Sequence, residues 1–318
     1  MMTPRQFAAR YAQLEVYLFT DEQARASGAR ALPPGGRWVS VAVNSYRLGL
    51  KTAYQRKDHS IDVFKNTVRP HLEKAIKESG GLTVWVRTIA GDVVAKTYRS
   101  RAELSENVND PFYGKGSPEE VQVVLQLAVR FGLFPAEKVQ IYCSNGNIGL
   151  DCNGFVANYL RHVKQGKAWD TDARSKQEKK REFDGNTMIA SIMKFGNQTM
   201  AVKTMAELQM RPFDVYLLAM CDASGRMKDH VRNDDGSISY GHIMITEPGT
   251  LRAGAAPPVA ARAKAGATSM AMIVLESAGG VGLVESTYDF LGDNGKGVFE
   301  VLRGSKQERM HVLVSRVV

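Results

Sequence analysis

The sequence predicts an α+β fold, with a helix that starts at a cysteine and, later in the chain, a set of strands, one of which bears a histidine. Three observations predict it. The first half of the chain places apolar residues at helical spacing, as in 61–78. Beyond residue 210, short β-branched and apolar runs alternate with turn residues, which is strand patterning. Between the two, the glycine-rich stretch 142–149 breaks into Asp151-Cys152-Asn153-Gly154-Phe155-Val156. After it, Phe155, Val156, Tyr159, Leu160 and Val163 recur at helical spacing, so a helix starts near Cys152.

Taken in order, 7–19 reads as a helix, followed by a break at Pro33-Pro34-Gly35-Gly36. A second amphipathic helix spans 61–78 and ends at Gly80-Gly81. Two β-branched runs, 82–87 and 93–98, flank Ala90-Gly91-Asp92 as a hairpin. The turn-forming Asn107-Val108-Asn109-Asp110-Pro111 marks a boundary, giving a smaller α/β region over 1–110, of unassigned role, and a second domain over 111–318. Ser117-Pro118-Glu119-Glu120 is a helix start, with serine as cap and proline at the first position, and that helix runs to Phe131-Gly132. Residues 142–149 read as turn. Strands are expected over 211–218, 239–246, 269–277 and 281–285. Insertions are expected at 166–185, 222–237 and 249–268, each charged, polar or of low complexity; the first two place Cys152 and His242 about 90 positions apart, and the third separates the strand over 239–246 from that over 269–277.

A thiol at a helix N-terminus lies among unpaired backbone N–H groups and the positive end of the helix dipole. Both favour the thiolate, which is the nucleophilic form. Gly154 is expected to keep the surface beside the sulfur clear of a side chain. The competing reading is a buried structural cysteine.

The string Tyr142…Gly146…Gly149-Leu150-Asp151-Cys152-Asn153-Gly154-Phe155-Val156 resembles the nucleophile motif of NlpC-type, papain-like cell-wall cysteine peptidases and amidases. It departs at Asn153, where that family has serine; asparagine can still cap or bond the first helical turn. Gly241-His242-Ile243-Met244-Ile245 is similar to the family's histidine strand. Arg211-Pro212-Phe213-Asp214-Val215 resembles the strand before it, with Phe213 in place of a turn glycine. The resemblance implies a papain-like catalytic domain in which His242 is the base for Cys152. It also implies a polar residue on the following strand to hold the imidazole. Glu276 is the best-placed candidate and Glu285 the rival. The oxyanion would be met by the Cys152 N–H, with Tyr142, Asn145, Asp151 and Asn153 completing or positioning the site.

The activity so implied is hydrolysis of an amide in the stem or cross-bridge peptide of peptidoglycan, with no cofactor and no metal. A thiol acyltransferase or deamidase on the same scaffold, or an inactive binding module, are the alternatives. There are 42 Lys+Arg against 33 Asp+Glu, a net charge of +9, which suits an anionic polymer as partner. No zinc-finger spacing or helix-turn-helix signature points to specific nucleic-acid recognition. Three cysteines, at 143, 152 and 221, argue for reduced thiols rather than a disulfide framework. The N-terminal residues lack the apolar core of a secretory signal, and no apolar run is long enough to span a bilayer. A cytoplasmic chain is therefore expected, with delivery to a wall requiring a route independent of a signal peptide.

Overall fold

The computed structural model describes residues 2–27, 31–46, 60–145, 147–161, 189, 192–193, 199–227, 231–232, 238–239, 241–253, 269–279, 281–303 and 308–318. Two compact units divide the chain: one comprises 1–5, 173–277 and 284–318, the other 6–172 and 278–283.

The unit that includes the cysteine begins with α1 (Pro4–Ala12), β1 (Leu14–Leu18), α2 (Asp21–Ser27) and β2 (Arg37–Val41). The expected helix over 7–19 is thus a short helix followed by a strand. Phe7 and Tyr11 fit helical spacing, but Leu14, Val16 and Leu18 alternate, and β1 pairs antiparallel with β2 over Leu14↔Val41 to Leu18↔Arg37. Then come α3 (Ser60–Ser79), the antiparallel hairpin β3 (Leu82–Arg87) and β4 (Val93–Tyr98), and α4 (Arg101–Phe112). The expected boundary at 107–111 lies inside α4. Ser100 caps that helix, and Pro111 falls in its last turn, where its ring breaks nothing further along.

α5 (Pro118–Arg130) starts as anticipated: Ser117 and Glu120 form a reciprocal capping box with proline at the first position. It is the unit's central helix, with Val121, Val123, Val124, Leu125, Leu127 and Ala128 all buried. Four polar side chains on it are buried as well, Glu119, Glu120, Gln122 and Gln126, and the two glutamines pair with backbone groups. Gln126 accepts from Trp85 N (3.0 Å) and donates to the carbonyls of Trp85 and Tyr17. Gln122 does the same for the N–H and carbonyl of Arg87. The amides satisfy strand-edge groups that a purely apolar helix would leave unpaired. α6 (Val139–Ser144) and α7 (Cys152–Tyr159) complete the unit's named helices.

The other unit contains β5 (Thr199–Val202), α8 (Met205–Gln209), β6 (Tyr216–Cys221), β7 (Val231–Arg232), β8 (Ile238–Ser239), β9 (Ile243–Thr246), β10 (Arg252–Ala253), β11 (Met270–Ala278), β12 (Gly282–Asp293), β13 (Val298–Arg303) and β14 (Glu308–Val317). The order β11-β12-β13-β14-β6-β9, closed by a second pairing of β11 with β9, makes a six-stranded antiparallel barrel. β10 pairs with β11, and β5 pairs with β14. Closure removes sheet edges that would otherwise need covering.

Strand alternation sends Met270, Met272 and Val274, then Tyr288 and Phe290, Phe299 and Val301, Met310, Val312 and Val314, Tyr216 and Leu218, and Met244 into one core cluster. β6 begins at Tyr216, five residues later than the expected strand. The stretch before it turns tightly, with Asp214 N bonded to Arg211 O, and leaves Phe213 80% exposed. The turn thus forms without glycine at that position. The expected strand over 239–246 is divided: residues 238–239 pair with β7, and β9 begins just after His242. The insertion at 166–185 lies outside the described residues, as do 228–230 and 233–237 of the second and 254–268 of the third.

Candidate functional site

Cys152 is the first residue of α7. Asp151 is its cap, in extended backbone (φ −97°, ψ 172°), and Oδ1 accepts from Gly154 N at 2.7 Å. Asp151 rather than Asn153 therefore fills the capping role. Its other oxygen pairs with Lys115, and both side chains are almost fully buried. Burial pushes the Asp151 carboxyl up, while Lys115 and the Gly154 and Asn153 N–H groups work in the opposite direction.

The backbone of 114–116 is strapped across the start of α7. Gly114 O accepts from Asp151 N (2.9 Å), Lys115 O accepts from Asn158 Nδ2 (2.9 Å), and Gly116 O accepts from Tyr11 OH (2.9 Å). A Cβ on residue 154 would lie 2.1 Å from Gly114 O. Gly154 is therefore required by that crossing. It does not keep the surface beside the sulfur open, as expected from sequence; a peptide occupies the space. Beneath, Phe155 packs among the rings of Phe7 and Tyr11.

The lead-in to Cys152 is partly helical, because Tyr142, Cys143 and Ser144 lie in α6. Tyr142 stacks on Phe134, with ring centroids 4.4 Å apart. Asn145 is the exposed C-cap of α6, and Gly146 lies outside the described residues. The rest of the loop is anchored: Leu150 N donates to Ser45 O (3.0 Å), and Ser45 Oγ donates to Cys143 O (2.7 Å). Asn153 is 8% exposed, and its Oδ1 is a buried acceptor with no hydrogen-bond partner among the described residues.

His242 and Glu276 belong to the barrel unit, whereas Cys152 belongs to the other. His242 Nε2 lies 2.7 Å from Glu276 Oε2. Glu276 is fully buried and the His242 side chain is 14% exposed. The other carboxylate oxygen lies 2.7 Å from Arg303 Nη2 and accepts from Tyr288 OH at 3.3 Å. Each member follows the inward phase of its strand. Glu276 continues Met272 and Val274, Arg303 continues Phe299 and Val301, His242 lies two residues before Met244, and Tyr288 faces Arg303 across β12–β13. The apolar barrel interior thus ends in a polar cluster.

Burial acts to raise the Glu276 carboxyl. The hydrogen bond and charge of His242, together with the charge of Arg303, outweigh it and hold the carboxyl below its ordinary value. An ionised carboxylate only accepts, so the Nε2 that faces it carries a proton. Burial, reinforced by the neighbouring Glu276, pushes the Tyr288 hydroxyl up.

Of the two carboxylates weighed from sequence, Glu276 is the one hydrogen-bonded to His242. Glu285 forms a half-exposed pair with Arg5, at 2.7 and 2.9 Å. Arg303 and Tyr288 were not anticipated. The available signal was Arg303 standing in the inward register of Val298-Phe299-Glu300-Val301-Leu302-Arg303, where a charge demands a partner.

No protein-family model, curated protein or solved structure matches this chain. Among the described residues, no group of three or more His, Cys, Asp or Glu side chains is placed to hold a metal ion. Among the same residues, no helix is long and apolar enough to cross a membrane.

Proposed function

We propose that the chain is a cysteine-dependent amide hydrolase of papain-like type, with Cys152 as nucleophile, His242 as base and Glu276 as the group that orients the imidazole. The observation that carries this reading is the His242–Glu276 bond at 2.7 Å, buried at the end of the barrel core. A histidine whose Nε2–H is taken by a buried carboxylate has its tautomer set, with Nδ1 as proton acceptor. A thiol at the start of a capped helix supplies the matching nucleophile.

In the proposed reaction Nδ1 takes the Sγ proton and the thiolate attacks the amide carbon. The resulting oxyanion is met by the N–H of Cys152, because the Asp151 carboxylate engages the N–H groups of Asn153 and Gly154. The imidazolium returns its proton to the departing nitrogen as the C–N bond breaks, leaving a thioester. Water, deprotonated by the same imidazole, then releases the acid and restores the thiol. Asn153 Oδ1, buried and without a hydrogen-bond partner among the described residues, is the acceptor assigned to a substrate N–H in this reading. Tyr142 on α6 and Asn145 at its cap are candidates for positioning the substrate.

The substrate class proposed is a peptide amide of peptidoglycan, which rests on the motif resemblance. The net charge of +9 suits that polyanionic setting. The test is release of new amino groups from purified wall peptides by the wild type and by Cys152→Ala. Loss of release in Cys152→Ala, with Cys143→Ala and Cys221→Ala active, supports the reading. Activity retained in Cys152→Ala overturns it, and transfer to an added acyl acceptor without hydrolysis points to the acyltransferase alternative.

A further inference from the structure

We propose that Arg303 is the permanent counter-charge that keeps Glu276 an anion while His242 is neutral, and so acts as a positioning residue for the base. The inference deepens the proposed function and rests on it only for the kinetic consequence.

Glu276 has no exposed surface, and among the described residues three side chains from outside its own strand face its carboxylate: His242, Arg303 and Tyr288. They differ in kind. Tyr288 donates one neutral hydrogen bond. His242 offers a positive charge only when its ring is protonated, which is the state in which it has already acted as a base. Arg303 is charged at every relevant pH, and its side chain is 8% exposed, so little solvent screens it. In the resting state with a neutral imidazole, Arg303 is therefore the one full positive charge among these three partners.

An isolated carboxylate in such a site takes up a proton rather than stay ionised. A protonated Glu276 would offer an O–H as well as a carbonyl, and either imidazole tautomer would then satisfy it. Setting the tautomer thus depends on keeping the carboxylate charged. The placement of Arg303 serves this: it takes Oε1 and leaves Oε2 for Nε2.

The experiment is NMR of the full chain without substrate, following the Glu276 side-chain carboxyl carbon and the His242 ring nitrogens against pH. Three proteins are compared: wild type, Arg303→Gln, which keeps donors without charge, and Arg303→Lys, which keeps charge. The expected result is Glu276 ionised throughout pH 6–9 in the wild type and in Arg303→Lys. In Arg303→Gln its midpoint should rise by at least about one pH unit, and neutral His242 should become a mixture of tautomers. In kinetics on wall peptides, kcat should fall about tenfold or more in Arg303→Gln with KM little changed, and Arg303→Lys should recover most of it.

Unchanged Glu276 and His242 titrations in folded Arg303→Gln overturn the proposal. If that variant does not fold, the wild type decides alone: Glu276 protonated above pH 6 overturns it, and Glu276 ionised there together with a single Nε2–H tautomer supports it. Because these signals need no turnover, they stand apart from the Cys152→Ala result. An inactive chain with the expected titrations would sink the hydrolase reading and keep the role of Arg303.

Discussion

His242 and Glu276 are joined by a 2.7 Å hydrogen bond where the apolar interior of a six-stranded barrel gives way to polar side chains. Glu276 lies on β11, and His242 immediately precedes β9, the antiparallel neighbour of β11. Leu275 faces Ile245 in the β11–β9 register, so Met244 follows opposite Glu276 and His242 lies one inward position beyond it, diagonal to the carboxylate. A carboxylate so placed cannot wander, because its second oxygen is held by Arg303 and Tyr288.

If this carboxylate orients the base, Glu276→Ala should lower turnover of wall peptides by about 10²- to 10⁴-fold with KM little changed, since a misdirected base harms chemistry more than binding. Steady-state kinetics on folded protein check this. The parallel change Glu285→Ala removes only the surface pair with Arg5 and should leave turnover near that of the wild type.

The same cluster predicts a stability pattern. Glu276→Leu leaves Arg303 buried without its partner and should cost about 3–5 kcal/mol, the range for breaking a buried pair from one side. Adding Arg303→Met to Glu276→Leu should restore much of that loss, because no charge then remains to be solvated. Urea unfolding of the two single variants and the double variant measures it. Equal and additive losses would show that the pair is not coupled.

Gly154 is held to glycine by packing. Alanine is the better helix former by about 1 kcal/mol, yet its Cβ would sit 2.1 Å from the Gly114 carbonyl, a backbone atom with its own bond to Asp151. Gly154→Ala should therefore destabilise by more than about 2 kcal/mol, read as a lowered urea midpoint. Gly292, where nothing approaches within 4 Å, is the control position and should tolerate alanine far better.

Glu119 gives the cysteine unit a pH dependence of known sign. Burial raises its carboxyl from the ordinary 4.5 to about 7, against weaker opposition from the Ile89 N–H and other donors. A raised folded-state value means the folded chain binds the proton more tightly than the unfolded chain. Its stabilising contribution is present below about pH 4.5 and is lost as pH rises through about 7, by up to about 3 kcal/mol. Glu119→Gln should remove this slope between pH 4.5 and 7 and unfold at higher urea than wild type at pH 8. Parallel profiles for the two proteins would contradict the assignment.

The elements legible in the sequence are those with local chemistry of their own. The start of α5 is written in Ser117, Pro118 and Glu120, and the hairpin of β3 and β4 in two apolar runs about a turn. The start of α7 follows from the glycine-rich lead-in and the spacing of Phe155, Val156 and Tyr159. What was misread depended on partners elsewhere. β1 looked helical because apolar residues crowd 7–19 at both periods, and only pairing with β2 selects the strand. Pro111 looked like a boundary, but a proline one residue from the end of a helix forgoes only its own bond to the preceding turn and interrupts nothing beyond it. Glu276 was legible as a strand-end carboxylate near a histidine strand. Arg303 was not, since its meeting with Glu276 follows from the register of β11, β12 and β13 and the closure of the barrel.

The central claim is that His242 acts on Cys152, and alkylation of Cys152 by iodoacetamide tests it most directly. The rate is followed at pH 5.5 in the wild type and in His242→Ala, with the modified residue located by peptide mass. Cys143, whose thiol burial pushes up to about 12, serves as an internal unreactive control. The account predicts that wild-type Cys152 reacts at least about tenfold faster than Cys152 in His242→Ala, because a base that acts on this thiol would promote its reaction. Equal rates in the two proteins would contradict it.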